Sequence, residues 1–394
     1  MPTPPPAAPG MALAEIDTPA LLIDLDAFER NLRRMADFAA KTGVRLRAHA
    51  KTHKSPVIAA KQVALGAVGV CCQKVSEAEV MVEGGIGDVL ISNEVAGAAK
   101  LDRVAALARR ATIGICVDDP ASVAELEAAA ARAGATLDVL VEIDVGGRRC
   151  GAAQGEPAAR IAELVAGSPH LRFAGLQAYH GSAQHVREAG ERRALIARAV
   201  EQVEATRRAL AAMGLEAGLV TGAGTGTYEN EAASGVYNEL QCGSYIFMDA
   251  DYARNKRADG SLFADYEHAL FVYTTIMSRP VPERAVVDAG HKALAVDSGM
   301  PVPWQLPGAQ YQRPSDEHGV LDLSGATARL ARGDKVLLVP GHCDPTVNLH
   351  DWYVGVRGLG TAGARVECVW PVAARGCCYS TGRPSRATSP AAVG

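Results

Sequence analysis

The sequence has no surplus of charge: 40 Lys and Arg stand against 44 Asp and Glu, a formal net charge of −4 over 394 residues. That balance gives neither nucleic acid nor an anionic membrane an electrostatic footing as partner. Aromatic residues make up only 5% of the chain. No apolar run approaches the roughly 20 residues needed to span a bilayer. Cys-x-x-Cys is missing too. The nine cysteines are odd in number and include the neighbours Cys71–Cys72 and Cys377–Cys378, which are poorly placed to bridge each other. They read as reduced thiols of a cytoplasmic protein. The start, Met1 to Gly10, is proline-rich and lacks the basic and apolar regions of a signal peptide. Small-molecule chemistry is the class left standing.

What is present is an alternation. The length predicts two domains. After a flexible arm over residues 1–16, Thr18–Asp24 reads as a strand. Asp26 then opens a helix, with Glu29 as its capping-box partner and Phe28, Leu32, Met35 and Ala39 on one buried stripe. Eight apolar runs follow: 44–49, 67–72, 88–92, 111–117, 137–143, 173–179, 218–221 and 236–242. Amphipathic Ala-rich segments such as 96–109, 121–133 and 187–213 lie between them. Eight strands alternating with helices predict an α/β fold, a closed (β/α)8 TIM-like barrel, with a doubly wound open sheet as the competitor. Past residue 265 the runs 270–277, 284–288, 335–339, 352–357 and 364–372 are separated by turns rather than helices, which predicts a mainly β second domain. The division is a barrel over 17–265, a β domain over 266–379 and a disordered tail over 380–394, with strand 18–24 a candidate to join the β domain.

Functional groups of such barrels sit at the carboxyl ends of the strands, and phosphate sites often form after strands seven and eight. Strand seven runs into Thr221–Gly226 and strand eight into Gln241–Tyr245. Gly224, Gly226 and Gly243 would let backbone N–H groups approach a phosphate, with hydroxyls from Thr225 and Ser244. Two tight turns would have the same composition. The first strand ends in Arg47-Ala-His49-Ala-Lys51-Thr-His53-Lys54. A lysine desolvated in a barrel mouth has a lowered pKa and attacks carbonyls, which points to pyridoxal phosphate or a phosphorylated sugar. In the second domain, His342 and Asp344 lie two apart. In an extended segment they share a side and could offer nitrogen and oxygen to one cation, or simply bond to each other in a turn. Cys343 would point away.

The runs HAKTHK (49–54), GVCCQKVSEAE (69–79), ISNEV (91–95), QAYHGSAQH (177–185), ELQCGSYIFMDADY (239–252), DEHGV (316–320) and GHCDPTVNLHDWYVGVR (341–357) resemble D-threonine aldolases. 3-Hydroxyaspartate aldolases are close relatives, and eukaryotic-type D-serine dehydratases more distant ones. The resemblance runs from about Asp17 to Tyr379. It implies an alanine-racemase-like fold, a pyridoxal 5'-phosphate cofactor and a homodimer. Lys51 matches the lysine that carries the cofactor, and His342 and Asp344 match the ligands of a divalent metal, Mn²⁺ ahead of Mg²⁺ or Co²⁺. Gln73, Arg149 and Tyr179 match residues around the cofactor; Gly222–Gly226 and Gly243–Ser244 match the phosphate loops. Two positions depart from the pattern. Arg148 replaces the second glycine of a GxGRCG loop, and His291 stands where leucine is expected.

The implied reaction is retro-aldol cleavage of a D-β-hydroxy-α-amino acid to glycine and an aldehyde. A metal-bound water, His180 or His53 are the candidates to take the hydroxyl proton. Arg148 and His291 are the cations available for the second carboxylate of 3-hydroxyaspartate. The alternatives are a 3-hydroxyaspartate aldolase, a dehydratase of D-serine or 3-hydroxyaspartate, and a non-catalytic pyridoxal-phosphate carrier. The resembling dehydratases have cysteine at the second metal position, where this chain has Asp344.

Overall fold

A computed structural model describes residues 4–377, so the tail expected over 380–394 lies outside it. The first strand, β1 (Ala20–Asp24), leads directly into α1 (Leu25–Thr42). The cap of α1 is Asp24 rather than Asp26: its carboxylate accepts the N–H groups of Asp26 and Ala27 at 3.0 and 3.3 Å. Asp26 instead accepts from Arg357 and from the Gly358 N–H, both at 2.8 Å. Gly43 ends α1 in the left-handed region, φ +74°.

The chain then runs through β2 (Arg45–His49), α2 (Pro56–Ala64), β3 (Gly69–Cys72), α3 (Val75–Glu83), β4 (Asp88–Ile91), α4 (Ala98–Leu107), β5 (Thr112–Val117) and α5 (Pro120–Ala133). It continues through β6 (Leu137–Glu142), α6 (Glu156–Ala166), β7 (Leu171–Gln177), α7 (Ala189–Ala212), β8 (Leu219–Gly222), α8 (Tyr228–Ala233) and β9 (Glu239–Leu240). β2 to β9 close into a parallel barrel, as the alternation predicts, and β2 pairs with β9 to seal it. The strands are largely apolar because helices cover their outer faces. All four residues of β3, for example, are buried.

The second domain contributes β10 (Leu270–Val281), β11 (Arg284–Val287), β12 (Val302–Pro303), β13 (Gln310–Pro314), β14 (Gly319–Asp322), β15 (Lys335–Val339), α9 (Cys343–Val347), β16 (Trp352–Arg357) and β17 (Arg365–Pro371). With β1 these strands form one nine-stranded sheet, in which β1 lies between β10 and β16. Residues 4–16, where a flexible arm is expected, pack along β17: Gly10 N–H donates to Val366 O at 2.8 Å and Val366 N–H to Met11 O at 2.9 Å. Ile16, fully buried against Leu22, Phe271 and Val354, gives that segment its apolar anchor. A second apolar seam joins α1 and Tyr245–Met248 to the β domain through Phe28, Phe247, Leu338 and Tyr353. The Tyr353 hydroxyl donates across it to His53 O at 2.7 Å. The β domain is thereby held over the barrel mouth.

Candidate active site

One cavity of about 380 Å³ opens at the carboxyl ends of the barrel strands, and its walls come from both domains. From the barrel come His49 and Lys51 after β2, Gln73 after β3, Glu142 at the end of β6, and Arg149 in the loop beyond it. Tyr179 follows β7; Gly224 and Thr225 follow β8; Gly243 and Ser244 follow β9. From the β domain come His342 and Asp344. Ten of the eleven residues assigned to cofactor or metal in the sequence therefore meet in one place, Gly226 being the exception. Its N–H donates to Gln184 Oε1 at 3.0 Å, and a Cβ there would stand 2.6 Å from Gln184 O. Packing against Gln184 is what requires glycine at 226.

Lys51 Nζ lies 3.4 Å from Asp344 Oδ2. Burial is the largest influence and pulls the lysine pKa down, as the sequence reading expects, but the charge and hydrogen bond of Asp344 together with Tyr179 outweigh it and the net shift is upward. His342 and Asp344 do not lie on one extended run. His342 has extended backbone and caps α9, while Asp344 sits in the first turn of that helix. Cys343 between them is buried, its N–H donating to Asp249 Oδ2 at 3.1 Å. His342 Nδ1 bonds Asp297 Oδ2 at 2.7 Å, which leaves Nε2 as its remaining ring nitrogen. Asp344 Oδ1 is buried without a hydrogen-bond partner.

On the barrel side, the Arg149 guanidinium lies over the Tyr179 ring, 5.6 Å from its centroid. Gln73 Nε2 donates to Ser92 O at 3.2 Å and lies 3.0 Å from His49 Nε2. Burial first, then the Lys51 charge, holds His49 well below the ordinary histidine range, so it is neutral. Thr225 Oγ1 is buried without a partner. A Cβ at Gly224 would come within 2.5 Å of Gln184 Oε1, and one at Gly243 within 2.4 Å of Thr52 Oγ1.

The sequence reading missed His185 and Glu142. His185 reaches the cavity with Nδ1 2.5 Å from Asp251 Oδ2, and Arg187 and Arg254 each hold Asp251 Oδ1 at 2.5 Å. Burial raises the Asp251 pKa, and these three partners overcome it to leave the carboxylate firmly ionised. His180 and His53, the proton acceptors suggested by sequence, do not line the cavity: His180 lies against Gly146, and His53 is fully buried beside Ser55. Arg148 and His291 are also absent from its walls.

The class follows from the placement of these groups. A parallel barrel whose mouth is shared with a β domain is the arrangement of alanine-racemase-like enzymes, which use pyridoxal phosphate. Residues 23–251 match the family "Alanine racemase, N-terminal domain", and residues 269–356 match "Putative serine dehydratase domain". The chain is 50% identical over 375 residues to the 3-hydroxy-D-aspartate aldolase of Paracoccus denitrificans (strain Pd 1222), covering 94% of this chain and 95% of that enzyme. It is 47% identical over 373 residues to the D-threonine aldolase of Arthrobacter sp., covering 95% and 96%. Among solved structures, D-threonine aldolase from Filomicrobium marinum superposes with a TM-score of 0.92 at 56% identity, over 96% of this chain and 100% of that one. The chain belongs to this family of D-amino-acid aldolases, which are lyases.

Proposed function

We propose that the chain is a metal-activated, pyridoxal-phosphate-dependent aldolase that cleaves D-β-hydroxy-α-amino acids of the D-threonine type to glycine and an aldehyde. The observation that carries this reading is the meeting of Lys51 from the barrel with His342 and Asp344 from the β domain in one cavity. The residues fit both absent groups. The orphaned Thr225 hydroxyl, with Ser244 and the backbone of Gly224 and Gly243, suits a phosphate. Asp344 Oδ1 lacks a partner, and Asp297 orients His342, which suits a divalent cation. An oxygen and a nitrogen ligand favour Mn²⁺, Mg²⁺ or Co²⁺ and count against a thiolate zinc site of dehydratase type.

In this reading Lys51 is the residue that would hold the cofactor, with its amine at the mouth of the barrel beside Asp344. Bound pyridoxal phosphate supplies an electron sink conjugated to the substrate Cα. A cation on His342 and Asp344 would supply Lewis acidity at the β-hydroxyl. His185, whose ring Asp251 fixes through Nδ1, takes the hydroxyl proton. Arg149 and Tyr179 wall the cofactor on the barrel side.

Among the described residues lining the cavity the one arginine is Arg149, and Asp144 and Asp344 add negative charge. A second substrate carboxylate would enter that field without a dedicated guanidinium. D-Threonine and D-phenylserine should therefore be turned over better than 3-hydroxy-D-aspartate. The second reading is the dicarboxylate itself, favoured by the 50% identity to an enzyme named for it. A cytoplasmic homodimer completes the proposal, on kinship alone.

The test is product analysis with D-threonine, D-phenylserine and 3-hydroxy-D-aspartate, with and without a chelator. Glycine plus aldehyde, lost on chelation and restored by Mn²⁺, is the expected result. Ammonia and a keto acid would mean dehydration, and no turnover would mean a carrier. A higher kcat/KM for the dicarboxylate would select the second reading.

A further inference from the structure

At the end of β6 three buried carboxylate oxygens have no hydrogen-bond donor, Glu142 Oε2 and both oxygens of Glu94, and the two side chains lie within reach of each other. Glu142 is 3% exposed and lines the cavity. Glu94 belongs to the segment after β4. The other groups around them are few. Asp118, after β5, has its Oδ2 committed to the Gly151 N–H at 3.0 Å. Cys116 of β5 is a buried thiol, and burial raises its pKa first, with Glu142 and Glu94 adding to the rise. The Cys150 thiol lies beside Glu94. The cation at hand is Arg149, whose guanidinium is 3.9 Å from Glu142 Oε1 with its side chain 53% exposed.

One half-exposed guanidinium at that distance does not balance two buried carboxylates. Each orphaned oxygen also needs a donor, and the protein backbone provides none. One proton between the two carboxyl groups removes one charge and, by making one acid the donor to the other, pairs one oxygen of each. Burial first and Glu94 second push Glu142 up to about 8.

We propose that Glu94 and Glu142 hold one proton between them, and that this singly charged pair is the counter-ion that positions Arg149 over Tyr179 at the cavity wall. Glu142 and Glu94 are positioning residues: they act on the chemistry through Arg149. The consequence for catalysis rests on the cofactor reading above, whereas the shared proton stands apart from it.

Infrared spectroscopy of protein labelled with ¹³C-glutamate separates the two. The probe is the neutral-carboxyl C=O band at pH 7, recorded on the protein stripped of cofactor. Glu231, fully buried and raised to about 7, contributes its own acid band, which Glu231→Gln identifies. A further band should remain, vanish in both Glu142→Gln and Glu94→Gln, and in the parent protein fade as pH is raised toward 9.5 with the fold intact. A band that survives in Glu94→Gln would mean that Glu142 is neutral through burial alone, and the sharing is overturned. So would the lack of any band beyond that of Glu231, a result the parent protein gives even if a variant fails to fold. In the holoenzyme, Glu94→Gln/Glu142→Gln leaves Arg149 without a counter-ion. Its kcat should fall on the order of tenfold, with cofactor content retained and the bound-cofactor absorbance maximum displaced. An unchanged spectrum and kcat would overturn the positioning role. A lack of aldolase activity in the parent would sink the preceding reading and leave the infrared result standing.

Discussion

Lys51 and Asp344 come from different domains and form one ion pair, so each can be removed with the other left in place. Lys51→Ala should abolish the absorbance of lysine-bound cofactor, and borohydride reduction should then trap no cofactor on the protein. A reducible adduct at another lysine would refute the assignment. His342→Ala and Asp344→Ala should keep the fold and the bound cofactor but lose retro-aldol turnover on the order of a thousandfold, the value of a Lewis acid at a developing alkoxide. Added Mn²⁺ should restore the chelated parent and neither variant. Near-parent activity of either variant in chelated buffer would show the metal role to be wrong. These residues were legible because short motifs surround them. His185 was not, since what orients it is Asp251, 66 residues further along the chain, and the bond appears only after β8 and β9 fold back. Glu142 likewise reads as the end of a buried strand until Glu94 and Arg149 are placed beside it.

Among the elements, the loop after β6 shows a residue working against its backbone. Arg148 has φ +49°, in the left-handed region that favours glycine, at the position where the resembling loops carry one. Its N–H donates to Asp144 Oδ1 at 3.0 Å, which fixes that conformation. Arg148→Gly should relieve about 1 kcal/mol of strain, partly offset by ~0.5 kcal/mol of added freedom in the unfolded chain. Chemical denaturation should show stability unchanged or slightly raised, and kcat/KM should stay within about twofold, because Arg148 does not line the cavity. A marked loss of either would assign its side chain a task. The barrel was legible because most of its strands are short, largely apolar runs that alternate with helical segments. The strands β12, β13 and β14 were not. Gln310–Pro314 (QYQRP) has one buried residue, Tyr311, and β12 is two residues long. Short strands with one apolar contact leave no period to read.

Across the whole molecule, the β domain is not a separable piece of chain. Its sheet takes β1 between β10 and β16, with Leu21 opposite Val272 on one side and Tyr353 on the other. Residues 266–377 expressed alone should therefore lack the middle of their sheet and show neither a cooperative unfolding transition nor dispersed NMR signals. A segment spanning residues 4–24, supplied as a peptide or fused ahead of residue 266, should recover both. A fragment that folds without it would contradict this account of the sheet. The same arrangement sets a timetable during synthesis. β1 emerges from the ribosome first, and one of its two partners is made almost last. Until β10 is made, therefore, Ala20-Leu-Leu-Ile-Asp24 waits as an apolar strand with two open edges, and until β16 is made with one, beside a barrel able to close first. The nascent chain is thus most vulnerable to wrong pairing at β1, and a holding chaperone would find its target in that strand.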